Sequence, residues 1–281
     1  STGEWRYNTT TNYVEFYDGA EWRDLQSEEI PPVPSENFNT VVYTGNGSTQ
    51  SITGVGFKPD FVWIKPTNFS DNHVVSNSTR GVNKSLAPNT TATEQSLGVT
   101  SFDADGFSLP NWGNVNSNGD TFVAWCWKAN AGTTSSNTDG DITSTVQVNN
   151  KAGFSIVQYD GNGTNGQSVG HGLGTTPALI INKATTWQNA WGVWHQSIPG
   201  NATMYLQDNS TPGAAQLGTP NSTTFQTTHV GTYTVGTYIN YCFKEVPGFS
   251  KFSSYTGNGN ATGPVVNTGF EPAFIIIRDI T

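Results

Sequence analysis

The chain has 281 residues, 12% of them charged, 34% hydrophobic and 12% aromatic, and a formal net charge of −9. This length accommodates two domains of about 100 residues plus additional segments, and the aromatic content argues against a disordered chain. The acidic balance argues against nucleic acid or an anionic membrane as partner, and no apolar run approaches the roughly 20 residues that span a bilayer.

No signal peptide is visible, the chain starts at Ser1, and its only methionine is Met204; a fragment of a longer polypeptide is expected. The first 26 residues form a distinct segment, "EWRYNTTTNYVEFYDGAEWRDL" at its centre, in which aromatic and polar residues alternate. Asp18-Gly19 is a strong hairpin signal. So short a stretch, rich in aromatics and poor in aliphatics, cannot bury a core alone. It therefore either packs on the rest of the chain or assembles with copies of itself. "SEEIPPVPSEN" follows, and residues 27–38 read as an extended, semi-rigid linker.

From there the chain is organised by repetition. "YTGNG" at Tyr43–Gly47 returns as "YDGNG" at Tyr159–Gly163 and again as "YTGNG" at Tyr255–Gly259. Each copy is followed by a glycine, an apolar residue, a proline and a strand-like run closed by a cation: "FVWIK" (Phe61–Lys65), "LIINK" (Leu179–Lys183) and "FIIIR" (Phe274–Arg278). Gly45 precedes Cys126 by 81 residues, and Gly161 precedes Cys242 by the same 81, within matching strands "TFVAWCWKANAG" and "TYINYCFKEVPG". The expected organisation is thus a repeat over 39–129, a connector over 130–150, a second repeat over 151–248 and the opening of a third over 249–281.

Within the repeats every segment reads as strand or turn. Phe61, Trp63 and Lys65 share one face of their strand, and Val123, Trp125 and Trp127 share one face of another, with Phe122, Ala124 and Cys126 opposite. Apolar residues on both faces predict strands covered on both sides, as in a sandwich interior. The best short helix candidate is Thr91–Gly98. In the connector, "DITSTVQV" reads either as part of a loose junction or as a strand docked on a neighbour, and the acidic Asp139–Asp141 as a turn rather than a calcium loop. The third opening is apolar on both faces of Phe274–Ile277 yet lacks a returning strand. That leads to the expectation of a longer chain completing a third sandwich, or of strand donation by another subunit or by the second repeat.

Residues that carry chemistry are sparse. Cys126 and Cys242 hold equivalent places in successive repeats, which predicts reduced thiols in separate cores that act as small buried hydrophobes. His73, His171, His195 and His229 are scattered, and Glu94, Asp103 and Asp105 have no counterpart pair in the second repeat. No catalytic residue, metal site or cofactor is expected. The most suggestive local feature is "TTWQNAWGVWHQ", where Trp187, Trp191, Trp194 and His195 lie within nine residues. Indole faces beside amides and hydroxyls suit sugar rings; the alternative is that these tryptophans fill the sandwich core or a seam between domains.

"GEWRYNTTTNYVEFYDGAEWRDL" resembles the G-x-x-R-Y-N-T … E-F-Y-D-G-x-x-W segments of tail fibres and other appendage proteins of tailed bacteriophages. The "YTGNG … GFKPDFVWIK … DADGF … TFVAWCWKA" pattern resembles a repeat of structural proteins of marine phages, cyanophages included. The resemblance implies a virion protein of an extracellular particle, assembling with copies of itself as a homotrimer and with other tail or capsid proteins. The expected fold is all-β: tandem antiparallel β-sandwich repeats, jelly-roll- or lectin-like, behind an amino-terminal β-hairpin element. The expected role is a fibre or similar appendage that connects to the virion or presents a surface to host glycan. A capsid-decorating or purely architectural protein and a polysaccharide-cleaving tailspike are the rival readings.

Overall fold

A computed structural model describes residues 2–10, 13–24 and 32–280. At the amino terminus, β1 (Trp5–Asn8), β2 (Tyr13–Tyr17) and β3 (Trp22–Asp24) form an antiparallel three-stranded meander, one strand more than a hairpin. Asp18-Gly19 makes the turn between β2 and β3. Gly19 has φ +106°, and the Asp18 carboxylate accepts from the backbone N–H of Ala20 (2.9 Å) and Glu21 (3.0 Å). Glu15 is buried and accepts from Arg6 Nε (2.5 Å) and Asn8 Nδ2 (2.6 Å), while the Arg6 guanidinium also lies 4.2 Å from the Trp22 ring centre. Trp5 and Tyr7 remain 64% and 59% exposed. Residues 27–31 of the expected linker lie outside the described residues; the rest includes a 3-10 turn, Pro34–Glu36, and then joins the first strand of the repeats.

The first unit comprises β4 (Phe38–Thr44), β5 (Gln50–Thr53), β6 (Phe61–Pro66), β7 (Val74–Asn77), β8 (Ser101–Asp103), β9 (Gly106–Leu109), the one-turn helix α1 (Gly113–Asn116) and β10 (Thr121–Trp127). After β11 (Ser135–Asn137) and β12 (Ser144–Asn149), the second unit comprises β13 (Phe154–Gly161), β14 (Gln167–Gly170), β15 (Leu179–Ala184), β16 (Gly192–His195), β17 (Met204–Tyr205), β18 (Thr224–Thr227), α2 (Val230–Tyr233) and β19 (Gly236–Phe243). The large sheet of the first unit has the order β4-β10-β6-β7, and β13-β19-β15-β16 repeats it in the second. The register repeats too. Cys126 faces Asn39 and Val62 across its strand, and Cys242 faces Ser155 and Ile180.

Each large sheet is covered on its inner face by a small one, β5-β9-β8 in the first unit and β14-β18 in the second. Cys126 belongs to the first inner core with Ile64, Phe107 and Phe122; Cys242 belongs to the second with Ile180, Phe225 and Tyr238. Both thiols are free, and burial raises their pKa values, that of Cys242 to about 12.

A third core joins the outer faces. Phe61, Val75, Leu86 and Ala129 of the first unit pack with Phe154, Ile156, Ile181, Trp191, Ile239 and Tyr241 of the second. The Phe61 and Tyr241 rings stand 4.4 Å apart, edge to face, and Asn77 Nδ2 donates to the Tyr241 hydroxyl at 2.7 Å. A fully buried aliphatic or aromatic side chain contributes about 1.5–3 kcal/mol, so this seam holds the two units firmly together.

The recurring tyrosine–glycine motif has a local cause. Tyr43 donates to Val115 O of α1, and Tyr159 donates to Thr232 O of α2, both at 2.7 Å. Tyr43 stacks on Phe122, and Tyr159 stacks on Tyr238. A Cβ at Gly45 would collide with the backbone oxygen of Ser117, and one at Gly161 with that of Thr234. Motif and helix therefore lock together across about 70 residues of sequence in each unit, and the same tyrosine bond is made twice.

One expectation needs correction, and the two readings of the connector are decided in favour of a docked strand. Thr91–Gly98 forms no helix, because its backbone is committed elsewhere: Glu94 N donates to Thr185 O of the second unit (3.0 Å), and Ser85 and Gln95 form a β-bridge. The connector is not a loose junction. Strand β12 extends the large sheet of the second unit through β13, while Gln147 reaches back to the hydroxyls of Ser78 and Thr79 at 2.9 Å each.

Asp60 fixes the entry to the connector. It is fully buried and accepts from Ser78 Oγ (2.6 Å) and from the backbone N–H of Ala129 (2.7 Å), Ala131 (2.8 Å) and Gly132 (2.6 Å). Removing the carboxylate strands these donors in the interior, so Asp60→Ala is expected to lower the unfolding free energy by about 3 kcal/mol or more. Urea denaturation checks this; a loss below about 1 kcal/mol would mean that water replaces the carboxylate at no real cost.

Candidate functional site: an aromatic face and its cleft

Of the two readings of Trp187, Trp191, Trp194 and His195, the sugar-binding surface does not form. Trp191 and Trp194 are 1% and 5% exposed and belong to different cores. Trp191 packs in the seam and donates from Nε1 to Ala87 O of the first unit at 3.0 Å. Trp194 points through β16 to the inner core, with Nε1 3.3 Å from Asn201 Oδ1. Trp187 packs edge-on against Tyr238, its ring centre 6.4 Å away. His195 uses Nδ1 to accept from Ser197 N at 3.1 Å, and burial lowers its pKa. Strand alternation sends neighbouring residues of β16 to opposite faces, so clustering in sequence does not become clustering in space. These tryptophans fill core and seam.

The carboxylates serve turns and an ion pair in the same way. Asp105 accepts from the backbone N–H of Gly54 and Gly56, Asp103 from the hydroxyls of Ser101 and Ser108, and Glu94 pairs with Arg80 at 2.7 Å. Asp141 accepts from the backbone and hydroxyl of Ser168, which makes the acidic stretch of the connector a turn.

The aromatic surface lies on the outer face of the first unit. Register places Trp125 opposite Trp63 and Thr40, and Trp127 opposite Phe61 and Phe38. The second unit covers the Phe61 end, whereas Trp63 and Trp125 are only half-buried. Their rings meet edge to face at 6.1 Å. Trp63 Nε1 donates to His73 Nδ1 at 2.8 Å, which leaves the imidazole proton on Nε2. Burial, and then the charge of Lys65, lowers the His73 pKa and keeps this ring neutral near pH 7. The His73 backbone N–H donates to Asn89 Oδ1 at 3.1 Å.

Over this face runs the carboxy-terminal segment. Residues 249–280 form no strand, although Phe274–Arg278 repeats the pattern that makes β6 and β15. Phe274 packs on Trp125 (5.4 Å between ring centres), Trp127 (5.2 Å) and Phe38 (6.0 Å). Between the segment and the sheet is a cleft of about 570 Å³, lined by Trp63, His73, Asn89, Trp125, Leu206 and the run Ala273–Ile277. One wall of the cleft is therefore a chain segment with no strand partner, whose Ile275, Ile276 and Ile277 are 63%, 51% and 68% exposed. Such a surface supports packing of protein on protein better than it supports chemistry.

From the sequence, the first unit's outer face reads as a sandwich interior. A comparison of the two copies carries the missed signal: Trp63 and Trp125 correspond to Ile181 and Tyr241, so at these two positions indoles stand on the face that the second unit leaves partly open. Lys65 and Lys183 differ in the same sense. Lys65 Nζ donates to Pro66 O on its own strand, whereas Lys183 is fully buried and donates to Asn189 O (2.9 Å) and to Thr91 O of the first unit (3.4 Å).

Burial lowers the Lys183 pKa from 10.5 to about 8. Between those pH values the unfolded chain holds a proton that the folded chain has released, so a rise in pH through that window favours folding at this residue. Wild type is expected to gain stability relative to Lys183→Met between pH 8 and pH 10.5. Paired urea titrations measure the difference; a flat difference would mean that the ammonium is solvated in the seam.

Residues 33–281 match the family model described as a domain of unknown function, DUF7483, and the chain belongs to that family. The match takes in both units, the connector and the carboxy-terminal segment, and begins after the amino-terminal meander. No curated protein and no solved structure matches the chain.

Proposed function

We propose that this member of the DUF7483 family is a non-catalytic structural protein of a tailed-phage virion, part of a tail fibre or similar appendage, in which the sandwich units connect and space. The observation that supports connection over ligand presentation is the use made of the aromatic residues. Trp191 and Trp194 are spent on internal packing, and the half-open Trp63–Trp125 face is already contacted by the chain's own Phe274. Among the described residues the most exposed aromatics, Trp5 and Tyr7, stand on the amino-terminal meander, outside the family match, with Tyr255 of the carboxy-terminal segment next.

An exposed aromatic meander on a short segment suits symmetric association, in which each copy covers the others. In this reading the meander forms the contact within a homotrimer or with neighbouring virion proteins, and the two units project from it. Deletion of residues 1–26 is expected to reduce the assembly to monomers in sedimentation. Equal masses for the truncated and full-length chains would remove the meander as the assembly element. Antibody labelling of intact particles separates an appendage, with few sites at the tail, from a decoration protein with many sites over the shell.

A further inference from the structure

Several contacts of the carboxy-terminal segment repeat contacts that hold the first two units together. Phe61 leads the central strand of the first unit and packs on Phe154 (6.2 Å) and Tyr241 (4.4 Å) of the second. Phe274 leads the third copy of that run and packs on Phe38 (6.0 Å) and Trp125 (5.4 Å) of the first. Register makes Phe38 and Trp125 the counterparts of Phe154 and Tyr241, because β4 and β10 align on β13 and β19. The cation that closes each run behaves in the same way. Lys183 donates to Thr91 O, in the loop that follows the Val75–Leu86 bridge of the first unit. Arg278 Nη2 donates to Ser210 O, in the loop that follows the equivalent Val193–Met204 pairing of the second.

Each kind of contact thus keeps its own direction round the three units, and the two directions are opposite. The leading aromatic goes from the first unit to the second and from the third to the first; the cation goes from the second to the first and from the third to the second. We propose that the outer face of the first unit, together with the 206–210 loop of the second, is a socket for a third sandwich of the same plan, the unit that opens at Phe252 and enters through Phe274–Arg278. The three units then close a ring with their outer faces turned inward.

The exposed isoleucines fix the nature of the occupant. Ile275 and Ile277 stand where Val62 and Ile64 stand in the first unit, and both of those are fully buried by the inner core of their own sandwich. The cover that fits these side chains is a sandwich interior of their own. Lys65, bonded along its own strand to Pro66 O, is the cation left for the loop of that third unit.

Hydrogen exchange and tryptophan emission on the full 281-residue chain test the socket. Phe274→Asp and Arg278→Glu are expected to speed amide exchange over residues 121–127 about tenfold and to shift indole emission to the red. Phe274→Leu and Arg278→Lys, which install the residue types of the second unit, should behave as wild type. Unchanged exchange in Phe274→Asp, or a Phe274→Leu chain as open as Phe274→Asp, overturns the proposal. The mass in solution should be the same for wild type and Phe274→Asp; a mass that falls in the variant would show that the tail of a second copy fills the socket, and would overturn a ring within one chain. In a chain where residues 184–248 follow Arg278, completing the plan, amides of 274–278 should become as protected as those of 61–65. Amides that stay open there overturn a third sandwich as the occupant.

Discussion

The architecture depends on large sheets that are apolar on both faces. A strand such as β6 or β19 sends bulky side chains up and down, and water is an unfavourable neighbour for either row. The small sheet that each unit builds from its own strands satisfies one face only. The other face must find cover outside the unit, and the chain meets this need by placing the second unit against the first. Phe61 under Tyr241, Trp191 against Ala87 and Lys183 on Thr91 are the local terms of that arrangement. A unit of this kind is thus incomplete alone, which is why the sequence repeats it.

Much of this was legible in the residues. The spacing from glycine motif to cysteine reported one plan made twice, and alternation within "TFVAWCW" put Cys126 and Trp125 on opposite faces of their strand. Asp18-Gly19 gave the turn of the meander. What the residues did not disclose is which outer face is covered and by what. Composition treats Trp191, at 1% exposure, and Trp125, half-buried, alike, because either a core or a surface accepts an indole. The distinction rests on contacts between units more than 100 residues apart, as for Asn77 with Tyr241.

The seam also explains what local preference left wrong or open. Thr91–Gly98 has a composition tolerant of a helical turn, yet it forms no helix because Thr91 O and Glu94 N are used by the second unit. "DITSTVQV" admitted either a loose junction or a docked strand, and pairing with β13 and the Gln147 bonds to Ser78 and Thr79 make it a strap across both units. In each case local preference, worth a few tenths of a kcal/mol per residue, yields to hydrogen bonds that would otherwise be lost in a buried seam, at about 1–3 kcal/mol each.

The two copies have diverged where their surroundings differ. Their inner cores keep the cysteine, the stacked aromatic pair and the tyrosine bond to the one-turn helix. Their outer faces do not. Ile181 and Tyr241 are shaped to lie under Phe61, and Lys183 gives up solvent to reach carbonyl oxygens. Trp63, Trp125 and Lys65 occupy the same lattice positions, but the first two meet Phe274 and the last stays on its own strand. Asp60 adds a further asymmetry. Its counterpart in the second unit is Ala178, and the carboxylate in the first is committed to the backbone at 129–132, where the connector departs. A buried carboxylate is tolerated there because four donors converge on it, and they converge because the chain must leave the sheet and cross to the next unit at that point. Specialisation of the copies is therefore dictated by what each one touches: interior residues answer to their own sandwich, and outer-face residues answer to the neighbouring unit.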